Sequence, residues 1–218
     1  MNTISLSDIP QLWRAESLTP AQSNCVSTGF IALDEALGGG WPLPALIELL
    51  CDEHGIGELR LLLALLKPRP TPGVELTNER KIVLWLSPPF ELHVIALTQY
   101  GMEPADHWVC PVPNAADLQW AMVQALRSGA CQTVIAWART LKPATLRTLK
   151  LAALTGRTVG VLFRPSNHAR FASPATLRLG LTTDELALKV TVIKMQGRRP
   201  CMVRIIPTAV DAPSSVTK

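Results

Sequence analysis

Residues 45–67 read ALIELLCDEHGIGELRLLLALLK, an apolar run of strand character, a loop with two glycines, then an apolar helical pattern from Glu58 to Lys67. Phosphate sites form where a strand passes through a loop into a helix, because the amides of the loop and of the first helical turn face an anion. A working loop of this kind, GxxxxGK[ST], brings glycines for close backbone approach, a lysine for the β and γ oxygens and a hydroxyl for Mg²⁺. The candidate loop here consists of Cys51, Asp52, Glu53, His54, Gly55, Ile56, Gly57, Glu58 and Leu59. Glu58 holds the lysine position, or Gly57 in an ungapped register, and Leu59 or Glu58 holds that of the hydroxyl. A carboxylate in place of an ammonium sets like charge against a triphosphate, and Asp52 and Glu53 add to the repulsion. The loop therefore predicts rejection of ATP.

Downstream, strand-like and helix-like segments alternate. KIVLWLS (residues 81–87) is a continuous apolar run suited to a strand buried on both faces, and a helix is expected over residues 91–101. HWVCP (107–111), a helix across 115–128, QTVIAW (132–137), a helix across 144–155 and RTVGVLF (157–163) continue the pattern. Such βαβ units predict a parallel sheet with helices on both sides. The last third changes character: TLRLGL (176–181), LALKVTVIK (186–194) and CMVRII (201–206) are strands separated by turns, expected to extend one edge as antiparallel strands. Outside this core lie a polar segment over residues 1–24 with a short helix near Asp8 and Glu16, a proline-rich linker over 67–77, and a tail over 207–218 expected to be disordered.

Two further positions bear on chemistry. QTVIAWART runs into Trp137 and Ala138 where a metal-binding Asp would end the strand, and KIVLWLS is followed by Pro88 and Pro89 with no carboxylate to orient a water. With the loop these make three losses, so no hydrolysis is expected, no catalytic residue is assigned and no cofactor is expected; a weak, non-hydrolytic nucleotide site stays open. His54, His93, His107 and His168 are too dispersed for a ligand set, so no metal is expected. Gly38, Gly39 and Gly40 read as a tight turn and Trp41 as a lid on the core.

The chain of 218 residues, 48% hydrophobic and 17% charged, suits one globular domain with short tails. No apolar run approaches the roughly 18 residues that span a bilayer, and the amino-terminal residues lack a signal layout, so a cytoplasmic protein without membrane contact is expected. Five scattered cysteines without a CxxC pair argue against disulfides and zinc, and read as mostly buried thiols. Charge is uneven. Residues 1–138 carry 7 Lys and Arg against 14 Asp and Glu, net −7, whereas residues 139–218 carry 14 against 3, net +11. A basic third can attract phosphates, although solvated strand edges also collect Lys and Arg.

VSTGFIALDEALGGGWPLPALIELL (residues 26–50) resembles the lead-in to the RecA core, an STG-x-x-x-LD-x-x-LG-GG-x-P run before the phosphate-loop strand. The resemblance extends through the βαβ units to the late antiparallel strands and implies a RecA-like domain over residues 25–206. GIGELRLLL (55–63) with WLSPP (85–89) resembles the ImuA group of RecA-like proteins, encoded with a translesion mutasome. VLWLSPP, MVQALRSG (122–129), TVIAW and VGVLFRP (159–165) also resemble SulA, the SOS inhibitor of cell division, which is shorter and lacks a comparable lead-in and the late strands. The ImuA resemblance implies an SOS-induced accessory protein of error-prone translesion DNA synthesis. It would bind ImuB, an inactive homologue of the Y-family polymerases, and RecA, and assist a DnaE-type polymerase. The SulA resemblance implies binding to FtsZ. RecA carries a mobile DNA-binding loop where this chain has residues 164–180, so Arg164, Asn167, His168, Arg170 and Arg178 become candidate DNA contacts; a basic loop without a partner reads the same. Leu12 and Trp13 become candidates for docking on a neighbouring subunit or other partner, as in RecA self-association, or for folding back on their own core.

Overall fold

The central strand of the sheet is the one that precedes the glycine-bearing loop. The computed structural model describes residues 24–69, 81–184 and 187–205. Leu12 and Trp13, the helix expected near Asp8 and Glu16, most of the proline-rich linker and the tail from 207 lie outside the described residues. In chain order the elements are β1 (Cys25–Val26), α1 (Ile31–Leu37), β2 (Trp41–Pro42), β3 (Ala45–Leu50), α2 (Glu58–Leu61), α3 (Leu63–Leu66), β4 (Ile82–Leu86), α4 (Val94–Gln99), β5 (His107–Cys110), α5 (Ala115–Ser128), β6 (Cys131–Trp137), α6 (Pro143–Thr155), β7 (Val159–Arg164), β8 (Leu177–Asp184), β9 (Ala187–Met195) and β10 (Cys201–Ile205). Among the described residues eight strands form one sheet in the order β10-β9-β8-β3-β7-β6-β4-β5. β8, β3, β7, β6, β4 and β5 run parallel to one another, and β9 and β10 add antiparallel pairings beyond β8 at the other edge.

Every residue of β3 is buried because both faces are covered. Ile47 and Leu49 face one core with Leu33 and Leu37 of α1, Leu61 of α2, Leu65 and Leu66 of α3, and Leu62 between those two helices. Leu46 faces the other, with Leu118, Met122 and Leu126 of α5 and Leu146 and Leu149 of α6. The result is a mixed α/β fold with helices on both sides of a mostly parallel sheet.

The single helix expected over residues 58–67 is two short helices. At Leu62 the chain tightens into i to i+3 bonds, Leu62 N donating to Leu59 O at 3.0 Å and Leu65 N to Leu62 O at 2.7 Å. The carbonyls freed at the end of α3 are met by side chains. Thr133 Oγ1 donates to Leu65 O at 2.7 Å, Gln132 Nε2 to Leu66 O at 2.9 Å, and the Arg69 guanidinium to Leu65 O at 2.9 Å. Burial lowers the Arg69 pKa to about 10.

The lead-in to β3 is pinned from α1. Asp34 accepts from Thr28 N at 2.7 Å and from Ser27 Oγ at 2.5 Å. Trp41 is fully buried and donates from Nε1 to Leu61 O at 3.1 Å, tying the lead-in to α2. The three glycines before it make the turn that the sequence suggests. Gly38 closes α1 in the left-handed region, and a Cβ on Gly40 would lie 2.1 Å from the Val26 carbonyl oxygen.

The cysteines correct an expectation. Cys51 and Cys131 are buried, whereas Cys25, Cys110 and Cys201 are exposed. Cys110 and Cys201 lie on the two outermost strands, which apolar sequence alone does not distinguish from central ones. Among the described residues no helix is long and apolar enough to cross a membrane.

Gly40→Ala should cost about 3 kcal/mol or more, since its Cβ meets backbone and its φ of 122° is unfavourable for alanine. Gly55→Ala, at φ 77° with open space around the Cβ, should cost only about 1 kcal/mol. Urea unfolding of both variants measures the difference, and equal losses would refute the steric account.

Candidate functional site

The loop from Cys51 to Gly57 leaves the carboxyl end of β3 in the middle of the parallel strands, where open α/β sheets hold ligands. Gly55 and Gly57 take φ of 77° and 93°, so the loop needs glycine for its backbone path and not for lack of space. Glu58, at the lysine position, folds back into the loop. Its Oε1 accepts from Gly55 N at 3.1 Å, the residue is 5% exposed, and Oε2 has no partner among the described residues. The chain's own carboxylate thus takes the loop amide that a phosphate oxygen would need.

A second acid of the loop is engaged as well. Asp52 accepts from both the backbone N and the hydroxyl of Ser166, and these bonds hold its carboxyl below the usual range. Cys51, beside it, is buried; burial first, then the charges of Glu58 and Asp52, push its thiol up to about 11. Ile56 and Leu59 pack on the core, Glu53 is exposed, and the exposed His54 has its ring centroid 6.2 Å from that of Phe90.

At the end of β6 an aromatic stack occupies the place of the missing acid. Trp137 lies flat on Phe163 of β7, with centroids 4.8 Å apart and planes at 6°, and Trp85 of β4 follows at 6.2 Å. Trp85 Nε1 donates to His107 Nδ1 at 3.2 Å, and burial keeps that imidazole below its usual pKa, in keeping with an accepting nitrogen. At the end of β4, Ser87 takes the left-handed φ of 47°, and its hydroxyl donates to Val112 O and accepts from Val112 N. This hydroxyl links the ends of β4 and β5. The two strand ends therefore carry a serine followed by prolines and an indole in place of carboxylates.

Two of the candidate DNA contacts are corrected. Arg164 and Arg178 are 5% and 4% exposed and both pair with Glu48 of β3, which is fully buried. Arg164 reaches Glu48 Oε1 at 2.6 Å, and Arg178 Nε reaches Oε2 at 2.7 Å. Arg178 also donates to the carbonyls of Phe171 and His168, at 2.9 and 2.8 Å. His168 Nδ1 accepts from Arg164 at 3.1 Å, while Nε2 donates to Arg139 O at 2.7 Å. Both guanidiniums are committed inside the protein and cannot reach a phosphate backbone. Asn167 and Arg170 remain exposed, Arg170 resting on the Phe171 ring at 5.1 Å, and His168 is half-buried.

Sequence reasoning missed Glu48, Ser166 and Arg139. For Glu48 the signal lay in the strand itself, since a lone carboxylate inside ALIELL must find a partner once buried. Between these elements lies a cavity of about 340 Å³, lined by residues that include Cys51, Asp52, Trp137, Arg139, Phe163 and Arg164. Among the described residues no group of three His, Cys, Asp or Glu could hold a metal ion.

Glu48→Gln should cost about 3–5 kcal/mol in chemical denaturation, because it leaves two buried guanidiniums without their counter-charge; a loss below about 1 kcal/mol would refute this. Native-state labelling with iodoacetamide at pH 8 should modify Cys25, Cys110 and Cys201, with Cys51 and Cys131 reacting only on unfolding. Both buried thiols are raised from 9.0 to about 11, so the stability they contribute is full below pH 9.0 and is lost as the pH rises toward 11. A stability curve flat across that window would contradict the assignment. No family model matches this chain, and no curated protein is significantly similar to it.

Proposed function

We propose that this chain is a RecA-like accessory protein of SOS-induced translesion DNA synthesis, similar to ImuA, which acts by binding other proteins and does not hydrolyse ATP. The observation that carries the reading is the self-filled loop, in which Glu58 takes the Gly55 amide while Trp137 replaces a metal-binding acid. A loop strand central in a parallel sheet, with antiparallel strands at one edge, supports the RecA-like part of it.

Protein binding is supported by the surface around the outermost strand β5. Trp108 and Val109 of β5 are 58% and 50% exposed, and the exposed Phe90 and Val94 line grooves with Val109. Two open grooves of about 670 and 260 Å³ meet there, sharing Glu91 and Val109. An unprotected apolar edge is the feature natural sheets avoid unless it meets a partner. With Arg164 and Arg178 committed to Glu48, the proposal rests on protein partners and includes no DNA contact.

A pull-down with ImuB, RecA and FtsZ in parallel tests the reading. Retention of ImuB and RecA is expected. Retention of FtsZ alone would favour a SulA-like division inhibitor, and retention of none would refute the proposal. Calorimetry with Mg-ATP should show no binding; measurable affinity abolished by altering Gly57 and Glu58 would point to a residual nucleotide site.

A further inference from the structure

The sheet ends in two edges that carry opposite charge. Among the described residues β5 has no neighbour beyond β4, and β10 has none beyond β9. Residues 82–126, which include β5, hold Glu91, Glu103, Asp106 and Asp117 and no Lys or Arg. Residues 186–205, which include β10, hold Lys189, Lys194, Arg198, Arg199 and Arg204 and no Asp or Glu. Both edges also expose apolar side chains, Trp108 and Val109 on β5 and Met202, 63% exposed, on β10. An apolar edge strand is a template for another strand, and the opposite charges of these two edges make each a suitable partner for the other.

Strand direction and face agree as well. β8 runs parallel to β5, and two successive antiparallel pairings, β8 with β9 and β9 with β10, return β10 to that direction. The Cys110 carbonyl accepts from Ser87 N at 3.0 Å, which turns the backbone groups of Cys110 and Trp108 toward β4 and those of Val109 toward the open side. His107 lies against Trp85 of the core and Ile205 is buried in that same core, so Trp108 and Met202 project from the other face of the sheet. We propose that the β10 edge of one copy of this chain pairs in parallel with the β5 edge of the next. Met202 then stands beside Trp108, Val203 beside Val109, and the exposed Arg199 before β10 near the exposed Glu103 before β5. The contact joins two different surfaces, so copies add head to tail. It uses the sheet edges and not the amino-terminal residues that the resemblance to RecA puts forward for self-association. It rests on the proposed reading of the β5 edge as a protein-binding surface, and adds what occupies that edge.

Sedimentation velocity of the purified full chain should show mass rising with concentration past that of a dimer, with half-assembly at about 10 µM. Val109→Pro removes an outward N–H without removing a bond to β4, and Met202→Glu sets a carboxylate against the acidic edge. Each variant alone should raise the half-assembly concentration about tenfold, while circular dichroism and a cooperative urea transition show that it is folded. An equimolar mixture of the two should form a two-chain complex and grow no further, because the first keeps its β10 edge and the second its β5 edge. A wild-type chain that stays monomeric up to about 100 µM, assembly that stops at a dimer, a mixture that stays monomeric, or folded variants that assemble like the wild type would each overturn the proposal. Retention of ImuB and RecA by a chain that stays monomeric leaves the proposed function standing and overturns this inference alone. Assembly without retention of either does the reverse.

Discussion

Glu48 places a full negative charge in the middle of the sheet, on a strand whose other five residues are apolar, and the neighbouring strands are arranged to answer it. β7 ends in Arg164 and β8 begins near Arg178, one on each side of β3, and both reach the same carboxylate. A buried ion pair is weak evidence for stability, since desolvation offsets much of the attraction, but it is demanding about geometry. The register of β7 and β8 against β3 must put those guanidiniums opposite Glu48. Once there, Arg178 holds the carbonyls of His168 and Phe171, and His168 holds the carbonyl of Arg139. The turn over Ser166–Arg170 and the segment that follows β6 are thereby tied to that one carboxylate.

The loop itself is organised by hydrogen bonds to two of its three acids. Asp52 accepts from Ser166 and Glu58 accepts from Gly55, while Glu53 stays exposed. The Gly55 amide is occupied by Glu58, and the end of β6 is closed by the packing of Trp137 on Phe163. Both changes make the centre of the sheet more closed, which leaves the outer strand β5, with its exposed Trp108, as the more accessible apolar surface.

Fold class was legible because it depends on periodicity, a local property. ALIELL became β3 with the bounds read from the sequence, and the helix over 115–128 became α5, started by Asn114, whose side chain accepts from the amides of Ala116 and Asp117. The site was less legible because it depends on partners far apart in the chain. Arg164 and Arg178 looked like phosphate contacts in a basic loop, and only the fold brings them to a carboxylate 116 and 130 residues away. The break at Leu62 and the exposure of Cys110 and Cys201 were hidden for the same reason. One is set by how α2 and α3 meet the sheet, the others by which strands happen to be outermost.

The lead-in that carries the resemblance to RecA has a physical explanation that is wholly structural. Ser27 and Thr28 are there to meet Asp34, Gly40 is there because Val26 passes too close for a Cβ, and Trp41 is there to seal α2 against the sheet. Each of these residues acts on the path of its own chain, and none lines the cavity beside the loop. A chain can keep all of them while exchanging every group that does chemistry, so the lead-in argues for a frame and says little about activity. Function has to be sought where the frame is not self-satisfied, along the open edge of β5.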